Sequence, residues 1–168
     1  MTFLGAEAID VLRFGPDHDG TVLYATVGMS RAPMTDPLAT VVDPVAGPRA
    51  ELFLRVRGGR DGVTRALAVL AAAPALEGLV VAAGASLDLG EPLWPGAGFT
   101  SVLIGEPAGL VPDLLIPGAN HVGFFPVLPM TPVEAAWKRV HGASALEQRW
   151  LEAGVDVRDP QRRGVNLQ

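Results

Sequence analysis

The chain has 168 residues, 49% of them hydrophobic and 18% charged, and a formal net charge of −5. This composition is too apolar for a disordered chain, and the length suffices for one hydrophobic core, so we expect a single domain over residues 1–168. The absence of cysteine excludes disulfides and thiolate chemistry. An acidic chain without a long basic run is a poor non-specific nucleic-acid binder, because phosphate neutralisation supplies most of that affinity. We therefore expect no nucleic-acid partner.

The sequence also argues against a membrane role. Residues 1–7 contain no basic segment followed by a long apolar run. The longest apolar run, residues 79–85, is far shorter than the roughly 20 residues that cross a bilayer. We expect a soluble, cytoplasmic protein that does not contact a membrane. No pattern in the sequence sets its oligomeric state.

Three strands are predicted in the first third of the chain. Residues 7–14 and 21–27 predict two strands separated by a turn. Residues 49–57 alternate strictly between two faces, which predicts a half-buried strand. The connection at residues 31–48 is rich in proline, aspartate and glycine and is too long for a tight hairpin. Loops of this length are commonly functional or disordered, so this loop is the first candidate for a functional segment.

A helix is predicted after the third strand. Asp61 is the expected N-cap, and Pro74 is expected to end the helix, because proline cannot supply the next helical N–H. The segment is apolar nearly all round. We therefore expect it to pack deep against the sheet.

Strand signals return in the second half of the chain. Residues 99–104 predict a strand, and residues 114–116 and 122–125 predict a hairpin around a Pro-Gly turn. Pro126 and Pro129 are expected to limit pairing of the residues between them in a sheet interior, because proline has no N–H.

The clearest local signal is a helix start at Thr131. Thr131 is a predicted N-cap, Pro132 suits the first helical position, and Glu134 completes a capping box. Glu134 and Lys138 are spaced for a favourable i,i+4 pair. We expect an inward-facing apolar stripe on this helix at Val133, Ala136, Trp137 and Val140.

A second helix is predicted at residues 143–153, with Leu146, Trp150 and Leu151 facing inward. Residues 155–168 are polar and predict either a strand or a docked tail. Together these elements predict an α+β fold: a single-domain mixed, largely antiparallel β-sheet packed against a few α-helices.

Motifs for catalysis or metal binding are weak. Ser30 follows a strand within Gly-Met-Ser-Arg-Ala, which resembles a nucleophile elbow but lacks the final glycine, and a turn is the better interpretation. His18, His121 and His141 have no acidic or histidine partner at the spacing of a metal site. No two carboxylates are spaced as an acid–base pair. We predict no catalytic residue, no metal site and no cofactor.

Two other residues have alternative interpretations. Glu51 lies near the middle of the best strand. We favour a strand face on which Glu51 is either solvated or paired with Arg49, and the alternative is an acceptor for the backbone or an arginine of a partner. Trp94 lies between prolines and is either a binding anchor in a surface loop or a lid on the core.

An ordered series of segments resembles the Suppressor of fused family. The matching segments are Gly-Met-Ser at 28–30 with Pro33-Met34, the Glu-Leu strand at 49–56, the helix ending at 73–74, Phe-Thr-Ser-Val-Leu-Ile at 99–104, the strand and capped helix at 122–134, the helical segment at 142–151, and Asp-Pro-Gln-Arg-Arg at 159–163. No single segment is specific to the family. The resemblance lies in their order, which covers residues 21–163.

The resemblance implies a mixed α/β domain with its core at about residues 7–163, and protein binding rather than catalysis. The family's animal protein binds zinc-finger transcription factors of hedgehog signalling by strand addition between two domains. The present chain has one domain, and it has Val27 where the animal protein has tyrosine. Stand-alone bacterial members are thought to include immunity proteins that neutralise toxin domains of polymorphic toxin systems. An acidic chain suits a basic toxin.

We therefore predict a protein partner, either a toxin domain or a peptide segment, bound at the 30–48 loop and the adjoining strand edge. The predicted partner-binding residues are Ser30, Arg31, Met34, Arg49, Glu51 and Trp94. The alternative is a small-ligand-binding protein or an enzyme with a cleft around Ser30, Arg49 and Glu51. A structural subunit would instead require an exposed apolar patch, for instance around Trp94 and Phe99.

Overall fold

The computed structural model describes residues 8–35, 38, 40, 43 and 45–167. In this part of the chain it contains six strands, three α-helices and a 3₁₀ turn at Met29–Arg31. The strands are β1 (Asp10–Phe14), β2 (Thr21–Val27), β3 (Arg49–Arg57), β4 (Ser86–Asp88), β5 (Ser101–Ile104) and β6 (Val122–Met130), and the helices are α1 (Val63–Glu77), α2 (Pro132–His141) and α3 (Ala143–Glu152). The expectations for residues 1–7, and for 36–37, 39, 41–42 and 44 of the long loop, lie outside the described residues.

The strands form one mixed sheet in the order β1-β2-β3-β6-β5-β4. Among the described strands only β3 and β6 pair in parallel, and the other neighbours are antiparallel. This confirms the predicted α+β class and the largely antiparallel sheet. The predicted hairpin is reduced to a single bridge between Leu114 and Val122.

Strand β6 changes its partner partway along. Residues 122–126 pair with β3, and residues 127–130 pair with β5. The strand runs through Pro126 and Pro129, so the prolines do not end it. Proline has no N–H, so it cannot donate a hydrogen bond to a neighbouring strand. Pro126 lies where β6 changes its partner from β3 to β5, which suits a residue without this donor.

Helix α1 covers one face of the sheet. The predicted apolar positions Ala50, Leu52, Leu54 and Val56 of β3 are all buried in this core with the inner residues of α1. The helix departs from the prediction at both ends. Gly62, not Asp61, is its N-cap, and it continues through Pro74 to Glu77. Pro74 removes only its own N–H bond, and Gly78 closes the last turn by donating its N–H to the carbonyl of Pro74.

Helices α2 and α3 cover part of the opposite face, above β5 and the end of β6. Their core includes Leu146 and Trp150, and residues of the C-terminal tail pack against it. The predicted docked tail is therefore present. The predicted inner stripe of α2 is wrong at three of its four positions: Val133 is 67% exposed, Val140 is 79% exposed and Ala136 is exposed as well. Trp137 does pack against this core. Leu151 of α3 is exposed as well.

The buried face of α2 is built around Glu134 instead. Its predicted capping box with Thr131 is present. The predicted pair with Lys138 is absent, because the Glu134 carboxylate binds Arg162 of the tail and Lys138 Nζ donates to Ser86 Oγ. The capping box and this ion pair fix the rotation of α2. No helix in the described ranges is long and apolar enough to cross a membrane.

Candidate functional site

The carboxylate of Glu51 is the centre of a buried hydrogen-bond network. Glu51 is 4% exposed. It accepts hydrogen bonds from the Gly28 N–H (2.9 Å), from the Ser30 N–H (3.0 Å) and hydroxyl (2.7 Å), and from the Thr26 hydroxyl (2.6 Å). The interpretation of Glu51 as a solvated or Arg49-paired residue is therefore wrong. The 3₁₀ turn after β2 folds back over the start of β3 and covers the carboxylate.

Arg49 holds the same turn from its other side. Its guanidinium donates to the carbonyl oxygens of Ser30 and Arg31, both at 2.7 Å, and to that of Val45 at 3.4 Å. Arg31 is exposed, and its Nη1 donates to the Ala8 carbonyl at 2.8 Å. Arg49 and Glu51 thus fix the first residues of the 31–48 loop to the strand on which the loop ends.

Met34 closes the loop at its base. Its N–H donates to the Pro48 carbonyl at 2.8 Å, and its side chain is buried in the α1 core. Trp94 belongs to that core too and packs edge-on against Phe99, with ring centroids 5.6 Å apart. The surface-loop interpretation of Trp94 is wrong, because it is a lid on the core. The exposed patch expected of a structural subunit is also absent there, because Phe99 is buried.

The predicted site therefore divides into two parts. Five of its residues lie at the base of the long loop, and Trp94 lies in the core. Of the six, Arg31 alone is exposed, Ser30 and Arg49 are half-buried, and the other three are buried. Their assignment to partner binding stays a prediction, and the buried members can contribute to it only by positioning the loop.

The structure brings together the three residues of the alternative cleft, Ser30, Arg49 and Glu51. The Glu51 carboxylate already accepts four hydrogen bonds, and the Arg49 guanidinium is directed at carbonyl oxygens. This geometry stabilises a turn. Among the described residues, no group of three or more histidine and acidic side chains lies close enough to hold a metal ion.

A second surface was not found from the sequence. Above β1, β2, β3 and the start of β6, none of the described helices covers the sheet face that carries α2 and α3 at its other end. A groove of about 320 Å³ crosses this open face, and a second groove of about 240 Å³ lies nearby. The first is lined by Phe53, Arg55, Ala108, Leu110, Pro126, Val127, Leu128, Val157 and Arg158, and the second by Phe14, Gly15, Asp17, Thr21, Leu23, Arg55 and Leu110.

Two cross-strand rows form the floor of this open face. In one row Leu12 is paired with Ala25, Ala25 with Phe53, and Phe53 with Pro126; in the other, Phe14 is paired with Leu23, and Leu23 with Arg55. Directly opposed residues share a face. Leu12 is 46% exposed and Phe14 is 51% exposed. The open face is therefore apolar along these rows, with Ala25 and Phe53 buried and Leu12 and Phe14 exposed, and polar at Arg55 and at Asp17 and Thr21 of the second groove.

The arginines at the two grooves differ in their pairing. Arg158, on the tail, donates to the Asp156 carboxylate at 2.9 Å and 3.2 Å. The side-chain hydrogen bond from Arg158 is the main reason that the pKa of Asp156 lies below its ordinary value, and burial opposes it. Arg55 is half-buried and forms no hydrogen bond or ion pair with any residue that the structure describes.

The tail is held by a buried ion pair beneath α2 and α3. Arg162 Nη1 lies 2.8 Å from Glu134 Oε1, and Nη2 lies 3.0 Å from Oε2. Glu134 also accepts hydrogen bonds from the Trp150 indole and the N–H groups of Thr131 and Val165. Burial alone would raise the pKa of Glu134, but the hydrogen bonds from Arg162, Thr131 and Trp150 outweigh it and lower the pKa.

These features define a class of fold: a one-sheet α+β domain with a helix on one face, a helix pair and a docked tail on part of the other, and an open apolar remainder. The chain belongs to the Suppressor of fused family, because the family model for Suppressor of fused protein (SUFU) matches residues 5–163. No curated protein shows a significant sequence match to the chain.

Solved structures share the fold. The chain is similar to a SUFU homologue from Neisseria gonorrhoeae, with a TM-score of 0.73 and 22% identity, covering 98% of this chain and 81% of that one. It is similar to a structure of the Sufu–Fu complex, with a TM-score of 0.68 and 11% identity, covering 96% and 78%. It also resembles Drosophila Suppressor of Fused, at the same TM-score and identity, covering 96% of this chain but 43% of that one.

Proposed function

We propose that the chain is a non-catalytic protein-binding domain that acts in the cytosol. The observation that carries this proposal is the family match over residues 5–163. A structure that shares the fold is described as the Sufu–Fu complex, so a related domain is found with a protein partner. The two grooves and the exposed Leu12 and Phe14 beside them also offer a partner apolar surface to bury.

We place one contact at the 31–48 loop, as the sequence predicts. In this role Arg31 contacts the partner directly. Glu51, Arg49 and Met34 keep the base of the loop closed. A fixed loop base lowers the conformational entropy lost on binding.

The experiment is affinity purification of the tagged full chain from its native host, followed by mass spectrometry and recombination of the purified components. We expect a partner in stoichiometric amount. Arg31→Ala should weaken the recombined complex, and it should lower the thermal midpoint of the free chain only slightly, through loss of the exposed hydrogen bond to the Ala8 carbonyl. Arg139→Ala, on the exposed side of α2, is the matched control. If Arg31→Ala and Arg139→Ala bind alike, the loop contact is refuted while protein binding stands.

The finer proposal is that the partner is a toxin domain and the chain its immunity protein. It is supported by the net charge of −5, which favours rapid association with a basic protein. Co-expression should restore growth of cells that produce the toxin, and the association rate should fall as salt is added. Growth that is not restored despite soluble expression of both chains would contradict the toxin assignment.

A second candidate function rests on the 2.7 Å contact between the Ser30 hydroxyl and Glu51. A serine and a carboxylate at this distance are the minimum for an activated nucleophile. Ser30→Ala decides between the candidates. The binding proposal predicts that a complex still forms, with a modest loss of stability. Loss of a hydrolytic or transfer activity that the wild-type chain displays would favour the enzyme.

A further inference from the structure

The guanidinium of Arg55, which has no hydrogen-bond partner among the described residues, is the feature of the open face that most needs a ligand. It stands in a row with Leu23 and Phe14 and lines both grooves. A half-buried charge has lost part of its hydration, and that loss is offset when the charge is paired. No residue in the described part of the chain forms a hydrogen bond or a close ion pair with Arg55. Asp17 is near enough that the Arg55 charge adds, after the hydrogen bond from the Thr21 N–H, to the lowering of the Asp17 pKa.

The carboxylates near Arg55 already accept hydrogen bonds from other groups. Asp17, which lines the second groove, accepts hydrogen bonds from the N–H groups of Asp19 and Thr21. Asp156 is bound by Arg158 and by Arg57, the latter at 2.8 Å. The lining of the first groove contains two arginines and no acidic residue. Because Arg158 is paired with Asp156, the positive charge that this apolar groove offers a ligand is that of Arg55.

The distance between Phe53 and Arg55 along β3 determines how far apart the apolar group and the acidic group of a ligand should lie. Phe53 and Arg55 are two residues apart on one strand face, which is about 7 Å at the rise of a strand. Phe53 is 3% exposed, so the apolar surface that a ligand side chain would meet over it is formed by the half-buried Pro126 and Leu128. Arg55 suits a carboxylate, with which a guanidinium forms paired hydrogen bonds. An extended peptide repeats its side-chain direction every second residue.

We propose that the open face binds an extended segment of a partner protein in which an apolar side chain and a carboxylate lie two positions apart. The apolar side chain occupies the groove over Phe53, and the carboxylate pairs with Arg55. This inference deepens the proposed protein-binding function and rests on it. It concerns the open sheet face, whereas the contact proposed above lies at the 31–48 loop.

The test uses the ¹⁵N-labelled full chain and a synthetic capped peptide, Gly-Ser-Leu-Ser-Asp-Ser-Gly. We expect saturable amide shifts centred on Phe53, Arg55 and Val157. Replacing the peptide's aspartate with asparagine or lysine should weaken binding at least fivefold. Equal binding of all three peptides, shifts centred elsewhere, or no binding at millimolar peptide would overturn the proposal.

Variants of the chain distinguish loss of the peptide contact from unfolding of the protein. Arg55→Gln should weaken the aspartate peptide at least fivefold, and Arg55→Glu should prefer the lysine peptide. Arg65→Gln, on α1 across the sheet, is the matched control and should bind like wild type. Ala108→Trp, an exposed rim position, should block the groove without disturbing the core. Retained peptide binding by both Arg55→Gln and Ala108→Trp would overturn the proposal.

The natural partner distinguishes failure of this inference from failure of the function. A purified partner that binds wild type and Arg55→Gln with equal affinity refutes the groove and leaves protein binding intact. A partner that loses affinity with Arg55→Gln, as the peptide does, supports both.

Discussion

The buried pair between Glu134 and Arg162 makes the sharpest prediction about stability. The Glu134 side chain is 0% exposed and that of Arg162 is 5% exposed, and two hydrogen bonds join them. Removing one partner leaves the other charge buried without compensation, which costs about 3–5 kcal/mol. Typical domains are stable by about 5–15 kcal/mol. Arg162→Ala should therefore remove a large share of the free energy of unfolding.

Urea unfolding followed by tryptophan fluorescence measures this loss, because Trp150 contacts the pair. The expected cost lowers the midpoint of thermal unfolding by roughly 6–20 °C for a chain of this size. Arg163→Ala changes the neighbouring, exposed arginine and is the control, with an expected effect within about 0.5 kcal/mol.

A double-mutant cycle isolates the pair itself. Glu134→Gln and Arg162→Ala together should cost less than the sum of the single changes, by at least about 1 kcal/mol. The reasoning is refuted if Arg162→Ala costs less than about 1 kcal/mol, as the exposed control should, or if the two changes add.

Three further predictions follow from the structure. The pKa of Glu134 is lowered from its ordinary value of 4.5. The ionised Glu134 side chain therefore contributes fully to stability above that value, and the contribution is lost as the pH falls through the folded-state pKa. The urea midpoint of the wild type should fall over this pH range, and that of Glu134→Gln should fall less. Leu146→Ala should cost about 2–5 kcal/mol in urea unfolding and Val140→Ala less than about 0.5, and equal costs would contradict the observed helix faces. Gly28→Ala should lower the thermal midpoint more than Gly20→Ala, because both have positive φ but a Cβ at Gly28 would lie 2.6 Å from a carbonyl oxygen; the reverse order would contradict this.

The sequence predicts elements whose cause is local. The bounds of β2 and β3 agree with the predicted residues 21–27 and 49–57, because strict alternation requires only neighbouring side chains. The capping box at Thr131 is also local, because its two hydrogen bonds span three residues. The order of segments identified the family, which the match over residues 5–163 shows.

The faces of the later helices depend on distant residues. The apolar pattern of α2 indicates a stripe through Val133 and Val140, but Glu134 turns inward because Arg162 lies 28 residues away in sequence and beside it in space. A buried carboxylate with a buried arginine partner cannot be told from a solvated one by periodicity alone.

The candidate site shows the same limit. Strand alternation places Glu51 on the second face of β3, but it does not reveal that the turn after β2 covers that end of the face. It also places Arg55 on that face, and only the packing of α1 on the other face, and of α2 and α3 over β5 and the end of β6, reveals that no described helix covers it. The exposed and buried parts of one strand face are set by topology.

The measurement that most directly tests the central claim is calorimetric titration of the chain with the partner that co-purifies with it from its native host. Protein binding predicts a saturable 1:1 heat and a micromolar or tighter Kd, with weaker binding by the Arg55→Gln variant than by Arg65→Gln. If no protein is retained in stoichiometric amount at low salt, or the retained protein gives no saturable heat with the purified chain, the protein-binding account is contradicted.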